Sequence, residues 1–217
     1  MKLVIFGASG ATGRHLVRLA VQEGHQVVVC VRPDKANSFP PEQQCLTVEP
    51  DNQSQVREAL MGADAVAVCL GISRKSRSPF ASIVSPTDLT SRSMAIIIAA
   101  MSELNVRRIV YLSAYGAGAS WKCIPWWGRI FIRISNIHYS IDDHTRSEQL
   151  LVNTNLEWTV LRPMMLNELP SNQSARKMQA KDSLLTKIPR EAVARTFLNV
   201  LCDQSTFKCA IALSAPD

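Results

Sequence analysis

Three glycines near the start of the chain have the spacing of a turn that binds a phosphorylated ligand. Gly7, Gly10 and Gly13 stand in the run GASGATG, directly after a short apolar stretch that predicts a buried strand. Apolar residues at helical spacing follow them. In a strand–turn–helix unit of this kind, backbone N–H groups at the start of the helix can hold a pyrophosphate. The segment therefore predicts a dinucleotide site; an ordinary glycine-rich turn is the alternative interpretation.

The residue that follows the second predicted strand indicates which dinucleotide this site would take. The strand QVVVCV, residues 26–31, is followed by Arg32, where proteins that prefer NAD(H) end the strand with Asp or Glu. A cation at this position accommodates the 2′-phosphate of NADP(H), and Lys35 lies nearby in the sequence. We therefore expect NADP(H) to be favoured over NAD(H), unless Arg32 is simply an exposed charge in a loop.

The tyrosine–lysine pair with which a standard short-chain dehydrogenase protonates its substrate is missing from this sequence. In such a pair the lysine stands four residues after the tyrosine. Here Tyr111 is followed at that distance by Tyr115, Tyr115 by Ala119 and Tyr139 by Asp143. The GxSxG and HExxH motifs are missing as well. The six cysteines form no CxxC pair and no zinc-type cluster with histidine. We expect no metal site and no alcohol dehydrogenase mechanism.

The remaining pattern predicts the elements that would position these residues. Apolar runs predict strands at 3–6, 26–31, 45–48, 63–70, 108–113, 156–161 and 210–214. Helical patterns alternate with these strands, among them 54–61, 87–104 and 190–202. This alternation is typical of an α/β fold, a Rossmann-type, doubly wound, mainly parallel sheet with helices on both faces. We expect residues 1–217 to form a single NAD(P)-binding Rossmann domain.

Three long loops follow predicted strands at the edge where open α/β sheets bind ligands, and we expect them to form the substrate pocket. They are residues 72–86, 114–127 and 163–188, the last of which is predicted to be polar and irregular from residue 167 on. The first loop carries three cations, Arg74, Lys75 and Arg77. These cations either meet phosphate or carboxylate groups or belong to a solvated, mobile loop.

Apolar residues at helical spacing between positions 126 and 141 predict an amphipathic helix, with Arg129 and Arg133 on the opposite face. We expect this helix to pack against the domain, with a role at a membrane surface or as a lid as the alternative.

Composition limits the class of protein. The chain has 217 residues, 47% of them hydrophobic and 19% charged, which is typical of a globular domain with a sizeable core. The net charge of +6 is spread along the sequence, which fits an anionic ligand or a solvated surface and implies no nucleic acid partner. No apolar run reaches the ~18 residues of a transmembrane segment. Unpaired cysteines and the lack of a signal peptide predict a cytoplasmic protein.

Seven segments resemble, in this order, the atypical short-chain dehydrogenase/reductase superfamily. They are GASGATG, VVVCVRPDK, ADAVAVCLG, RRIVYLSA, DDHTRSEQLL, WTVLRP and IPREAVAR. Within the superfamily the chain is most similar to the biliverdin-IXβ reductase and flavin reductase group, with NmrA-like proteins as relatives. The resemblance extends over nearly the whole chain, and the glycine turn and the DDH segment are its most specific parts.

The resemblance implies a role for each residue that its motifs match. The residues that would bind the cofactor are Gly7, Ser9, Gly10, Ala11, Thr12 and Gly13 for the pyrophosphate, Arg32 and Lys35 for the 2′-phosphate, Asp51 and Asn52 near the adenine, Leu70, Gly71 and Ile72 near the ribose, and Pro163. Two residues are the catalytic candidates: Ser113, which would lie beside the nicotinamide and the substrate, and His144, which would line the substrate pocket. Each has a plainer alternative, a strand-end serine and a structural histidine.

The expected function is that of an NADPH-dependent reductase that transfers hydride to a small conjugated acceptor, such as a flavin, a quinone or a tetrapyrrole. A flavin would then be a substrate and not a resident cofactor. Biliverdin itself is in doubt, because Arg162-Pro163-Met164 stands where the tetrapyrrole reductase has PPH, with its second pocket histidine. The alternative is a non-catalytic, NADP(H)-sensing NmrA-like protein that signals through a protein partner, which the missing tyrosine–lysine pair favours. An extended-type sugar epimerase is disfavoured, because this sequence lacks that pair and no substrate domain follows its predicted sheet.

Overall fold

A computed structural model describes residues 1–183 and 185–216, and a sheet of eight strands forms its centre. The strands in chain order are β1 (Lys2–Phe6), β2 (Gln26–Val31), β3 (Cys45–Thr47), β4 (Ala65–Val68), β5 (Arg108–Leu112), β6 (Glu157–Pro163), β7 (Met165–Asn167), β8 (Arg176–Lys177), β9 (Lys187–Pro189) and β10 (Cys209–Ser214). The sheet has the order β3-β2-β1-β4-β5-β6-β10-β8, and β8 alone runs antiparallel to its neighbour. Its first six strands have the Rossmann order, which confirms the predicted fold class.

Within the described residues, six α-helices connect the strands. They are α1 (Ala11–Gln22), α2 (Gln53–Leu60), α3 (Leu89–Glu103), α4 (Trp126–Ile134), α5 (Ile137–Val152) and α6 (Arg190–Leu201). Because side chains alternate along a strand, β1 buries Leu3 and Ile5 in the core that includes α1 and α6. Val4 and Phe6 enter the opposite core, formed with α2 and α3. The parallel strands of the main sheet have their carboxyl ends at one edge, and a layer of helices covers each face of the sheet.

Two expectations for the loops and helices are wrong. The helix predicted over 126–141 is two helices, because the chain is extended at Ser135 (φ −104°, ψ 163°). Asn136 then donates its backbone N–H to the carbonyl of Pro79 and its side-chain amide to that of Phe80, so this junction is tied to the loop 72–86. The segment 167–188 is not wholly irregular, since β7 pairs in parallel with β9 and β8 extends the main sheet.

No helix within residues 1–183 and 185–216 is both long enough and apolar enough to cross a bilayer.

Candidate functional site

The glycine turn between β1 and α1 is built so closely that two of its glycines cannot be replaced without a clash. Gly7 has φ +76°, and a Cβ there would lie 2.6 Å from the carbonyl carbon of Cys69, just past β4. A Cβ on Gly13 would lie 2.3 Å from the carbonyl oxygen of Gly7. The turn thus packs against β4 on one side and brings the first turn of α1 against its own backbone on the other.

The start of α1 suits an anion. Gly10 is the N-cap residue and has no side chain with which to cap the helix. The N–H groups of Ala11, Thr12 and Gly13 stand in the first turn, where an α-helix offers no internal acceptor, and the helix dipole makes this end positive. The helix start that Gly7 and Gly13 position by close packing thus has the features of a pyrophosphate site.

A cleft of about 340 Å³ lies at the ends of β4, β5 and β6, beside this turn. It brings together seven of the residues predicted to bind the cofactor: Ala11, Thr12, Leu70, Gly71, Ile72, Ser113 and Pro163. His144 lines the same cleft, so both catalytic candidates share one space with the helix start. Cys69 also lines it, and burial raises the pKa of this thiol to about 12.

Arg32 and Lys35 lie outside this cleft, just beyond the carboxyl end of β2. Both approach the carboxylate of Asp34, with Arg32 Nε 3.4 Å from Oδ1 and Lys35 Nζ 3.6 Å from Oδ2. All three side chains are about half exposed, so these contacts are weak and can rearrange. Arg32 and Lys35 thus both contact the carboxylate of Asp34, at the position where Rossmann proteins contact the adenosine ribose.

Asp51 and Asn52 hold structural contacts. The Asn52 side chain caps α2 by accepting the Gln55 N–H at 3.2 Å, and the Asp51 carboxylate pairs with Arg92 on α3. Neither residue lines the cleft, and their position near an adenine ring stays a prediction.

Ser113 is fixed by an ion pair that the sequence analysis did not identify. Its hydroxyl donates to Glu148 Oε1 at 2.6 Å, and Arg162 donates to both oxygens of the same carboxylate, at 3.0 and 2.6 Å. The Glu148 and Arg162 side chains are 5% and 12% exposed. Since Ser113 has one hydroxyl hydrogen and Glu148 accepts it, Ser113 can offer a ligand only its lone pairs. The signal available beforehand was an arginine within an apolar strand, which implies a buried carboxylate partner.

The backbone of the loop 114–127 covers this ion pair. Gly118 has φ +52°, and a Cβ there would lie 2.2 Å from Glu148 Oε2 and 2.9 Å from Arg162 Nη2. Its N–H donates to the hydroxyl of Thr145 on α5. The absence of a side chain at Gly118 lets the loop lie directly on the Glu148–Arg162 pair.

His144 is held by Tyr111, one strand position from the end of β5. The Tyr111 hydroxyl hydrogen-bonds Nδ1 of His144. Burial lowers the pKa of His144 below 6.5 and raises the pKa of Tyr111 well above 10. Because a phenol O–H is a stronger donor than an imidazole N–H, and an imidazole nitrogen is a stronger acceptor than a phenol oxygen, we assign Tyr111 as the donor and the imidazole hydrogen to Nε2. His144 can then offer a ligand an N–H group, while Tyr111 directs its own hydrogen to the ring.

Arg190, at the start of α6, is a further cation in the cleft that the sequence analysis did not identify. It donates to the Thr12 hydroxyl at 3.2 Å and to Glu168 Oε1 at 2.9 Å. Arg77 donates to the same oxygen of Glu168 at 2.8 Å. The loop 72–86 is therefore tied by Arg77 to Glu168 and, through it, to the helix start.

Arg162 of the Glu148–Arg162 ion pair also lines a second cavity, of about 570 Å³. It lies between two of the loops predicted to form the substrate pocket, and its lining includes Tyr115, Cys123, Arg162 and Asp182. Neither Ser113 nor His144 lines it. In the part of the chain that the structure describes, no three His, Cys, Asp or Glu side chains form a group that could hold a metal ion.

Comparison with known proteins identifies the class of site. A family model described as NAD(P)H-binding matches residues 7–204. Uncharacterised proteins of Mycobacterium tuberculosis (strain ATCC 25618 / H37Rv) and Mycobacterium bovis are 26% identical to this chain over 162 residues, which is 75% of the chain. The matched region is 14% of the length of these curated relatives.

Solved structures of low sequence identity share the fold over the whole chain. The oxidoreductase ylbE from Lactococcus lactis is 18% identical with a TM-score of 0.81, covering 100% of this chain and 92% of its own. ChuY, an anaerobilin reductase from Escherichia coli O157:H7, is 20% identical with a TM-score of 0.80, covering 100% and 98%. A short-chain dehydrogenase/reductase from Veillonella parvula, solved with NADP, is 19% identical with a TM-score of 0.72, covering 99% and 94%. They confirm the predicted fold, and the family model confirms the predicted membership of an NAD(P)H-binding family.

Proposed function

This chain belongs to the NAD(P)H-binding family, and from that membership we propose that it is an NADPH-dependent reductase of a flavin, a quinone or a similar conjugated acceptor. The observation that carries the proposal is the composition of the cleft. One wall is the start of α1, represented by Ala11 and Thr12, and another holds Ser113 and His144. A dinucleotide with its pyrophosphate at the helix start would place its nicotinamide toward those two side chains.

Bound NADPH would supply the hydride, so the protein has to orient the reacting groups. Ser113, whose hydrogen is given to Glu148, would accept a hydrogen bond from an amide N–H such as that of the nicotinamide carboxamide. His144 would donate its Nε2–H to a carbonyl oxygen or ring nitrogen of the acceptor. The two side chains therefore have complementary roles, one as acceptor and one as donor.

The hydrogen bonds inside the protein favour a hydride acceptor whose reduction needs no acid catalyst. The hydroxyl hydrogens of Ser113 and Tyr111 are both directed to protein groups, and a neutral imidazole is a poor acid. A conjugated ring system spreads the negative charge left by hydride addition and can take its proton from solvent. The neighbour named an anaerobilin reductase supports reduction as the reaction class, and the neighbour solved with NADP supports the cofactor.

Arg32→Asp is expected to lower NADPH affinity by about tenfold to a hundredfold, because a charge-assisted hydrogen bond contributes about 1.5–3 kcal/mol. NADH, which lacks the 2′-phosphate, should bind the variant within about threefold of wild type. The measurement is a fluorescence titration with each nucleotide. Arg57→Asp, another half-exposed arginine on the surface, is the matched control. An Arg32→Asp protein that still preferred NADPH would refute the assignment of the 2′-phosphate.

Oxidation of NADPH in the presence of FMN, FAD and a set of quinones tests the proposed reaction. We expect turnover with at least one of these acceptors, measured as the loss of nicotinamide absorbance. The missing tyrosine–lysine pair supports the other candidate, an NADP(H)-sensing regulatory protein. Tight NADPH binding without turnover on any member of the set would favour that function instead.

A further inference from the structure

The helix α4 presents large apolar side chains to solvent. Trp126 is 71% exposed and Ile134 67%, and three further residues between them are 42–53% exposed: Trp127, Ile130 and Phe131. We name these five side chains the α4 face. The expectation that this helix packs its apolar side against the domain is therefore wrong.

The opposite side of α4 is the one attached to the protein. Gly128 is buried, and a Cβ there would lie 3.0 Å from Ile124 Cγ2. Arg129 donates from Nε to the carbonyl of Ile124 at 2.7 Å. Arg133 lies over the ring of Trp121 and 3.3 Å from Asp142 on α5. Since an amphipathic helix normally buries its apolar side, this orientation leaves the α4 face open to another apolar phase.

A neighbouring loop extends the apolar surface. Phe80 is 57% exposed, and its ring makes an edge-to-face contact with the ring of Phe131, with the centroids 6.1 Å apart. Val84 in the same loop is also exposed. The loop is held there by Asn136, which bonds the carbonyls of Pro79 and Phe80. The surface is thus a fixed feature of two segments and includes two tryptophans and two phenylalanines.

The two segments that form this surface carry basic residues and no carboxylates. Residues 65–87 and 104–141 contain no Asp or Glu. Both segments contribute exposed cations, including Lys75, Lys122 and Arg133, the last of which also pairs with Asp142 on α5. Tryptophan and phenylalanine on one side of a short helix, with lysine and arginine beside them, is the pattern of helices that lie in the interface of anionic membranes.

We propose that the α4 face binds the surface of a membrane that contains anionic lipids. The aromatic side chains would enter the boundary between head groups and acyl chains, and the surrounding cations would meet the lipid phosphates. A second copy of this chain is a poorer occupant, because a two-fold contact through this face would set the cations of one copy against those of the other. The proposal is independent of the reductase activity.

Co-sedimentation of the whole protein with lipid vesicles tests this inference. We expect binding to phosphatidylcholine vesicles that contain phosphatidylglycerol to be at least about tenfold tighter than to phosphatidylcholine alone, and to weaken at high salt. Entry of Trp126 and Trp127 into lipid should also shift tryptophan emission to shorter wavelength. Equal binding to both kinds of vesicle, or binding to neither, would overturn the proposal.

Variants locate the contact. Trp127→Ser with Ile130→Ser should weaken binding by at least about tenfold, since each side chain loses its transfer into an apolar phase. The matched control is Val21→Ser with Val152→Ser, two valines of similar exposure (49% and 57%) on α1 and α5, which should bind as wild type does. If Trp127→Ser with Ile130→Ser leaves vesicle binding unchanged, or if it instead dissolves a concentration-dependent dimer, the lipid assignment is wrong.

Discussion

Glu148→Ala is expected to lower the free energy of unfolding by about 3–5 kcal/mol, because it leaves the charge of Arg162 buried without its partner. The pair is enclosed by the backbone of Gly118, whose absent Cβ leaves the room in which the Glu148 carboxylate lies. Ser113 loses its acceptor in the same variant, so its hydroxyl becomes free to turn away from the cleft. The loss of stability and the loss of Ser113 orientation therefore have one cause.

Chemical denaturation of wild type and variant measures this effect. Glu103→Ala, which removes a carboxylate paired with Arg57 on the surface, should cost less than about 1 kcal/mol. Replacing the buried pair as Glu148→Leu with Arg162→Met should recover much of the stability, because no lone charge remains. A Glu148→Ala protein within about 1 kcal/mol of wild type would show that the pair is not buried as described.

Gly13→Val is expected to reduce NADPH affinity by at least about a hundredfold, because it displaces the N–H groups proposed to hold the pyrophosphate. Its Cβ would lie 2.3 Å from the carbonyl oxygen of Gly7, so the turn and the start of α1 have to separate. Gly10→Ala, whose Cβ would lie 3.1 Å from the same oxygen, should have a smaller effect in the same direction.

Titration with NADPH, after circular dichroism has shown that each variant is folded, checks this prediction. Gly71→Ala is the matched control for stability, because a Cβ there meets no protein atom within 4 Å. It should unfold at the wild-type temperature. If Gly13→Val unfolds the protein, the graded effect of Gly10→Ala on affinity still tests the turn. Wild-type affinity in both variants would mean that the cofactor binds elsewhere.

The features that follow from local patterns could be predicted from the sequence. Strand, glycine turn and helix are consecutive from β1 to α1. The strands β2 and β5 begin at the predicted residues, and β1 begins one residue earlier than predicted. A buried strand or an amphipathic helix is determined by residues that are close together in the sequence, so its periodicity can be recognised there. The helix start and the end of β5 reach one cleft because parallel strands end at the same edge.

The features that depend on distant partners could not be predicted in this way. The Glu148–Arg162 pair joins α5 to β6, and no periodicity relates a carboxylate on a helix to an arginine on a strand. The amphipathic pattern around Trp126 indicates an apolar side but not the direction in which it faces, which depends on contacts such as that of Arg133 with Asp142 on α5. The roles of Arg32, Lys35, Asp51 and Asn52 toward a nucleotide stay predictions, since they depend on the ligand itself.

The most direct test of the central claim compares the rates of NADPH oxidation by wild type and Ser113→Ala with a saturating conjugated acceptor. We predict that wild type oxidises NADPH and that the variant is slower by at least about tenfold, because it lacks the group proposed to orient the nicotinamide. NADPH affinity should change by less than about threefold, since the phosphate contacts are intact. Oxidation at the wild-type rate in Ser113→Ala would contradict the role of Ser113, and no oxidation by wild type with any acceptor would contradict the reductase itself.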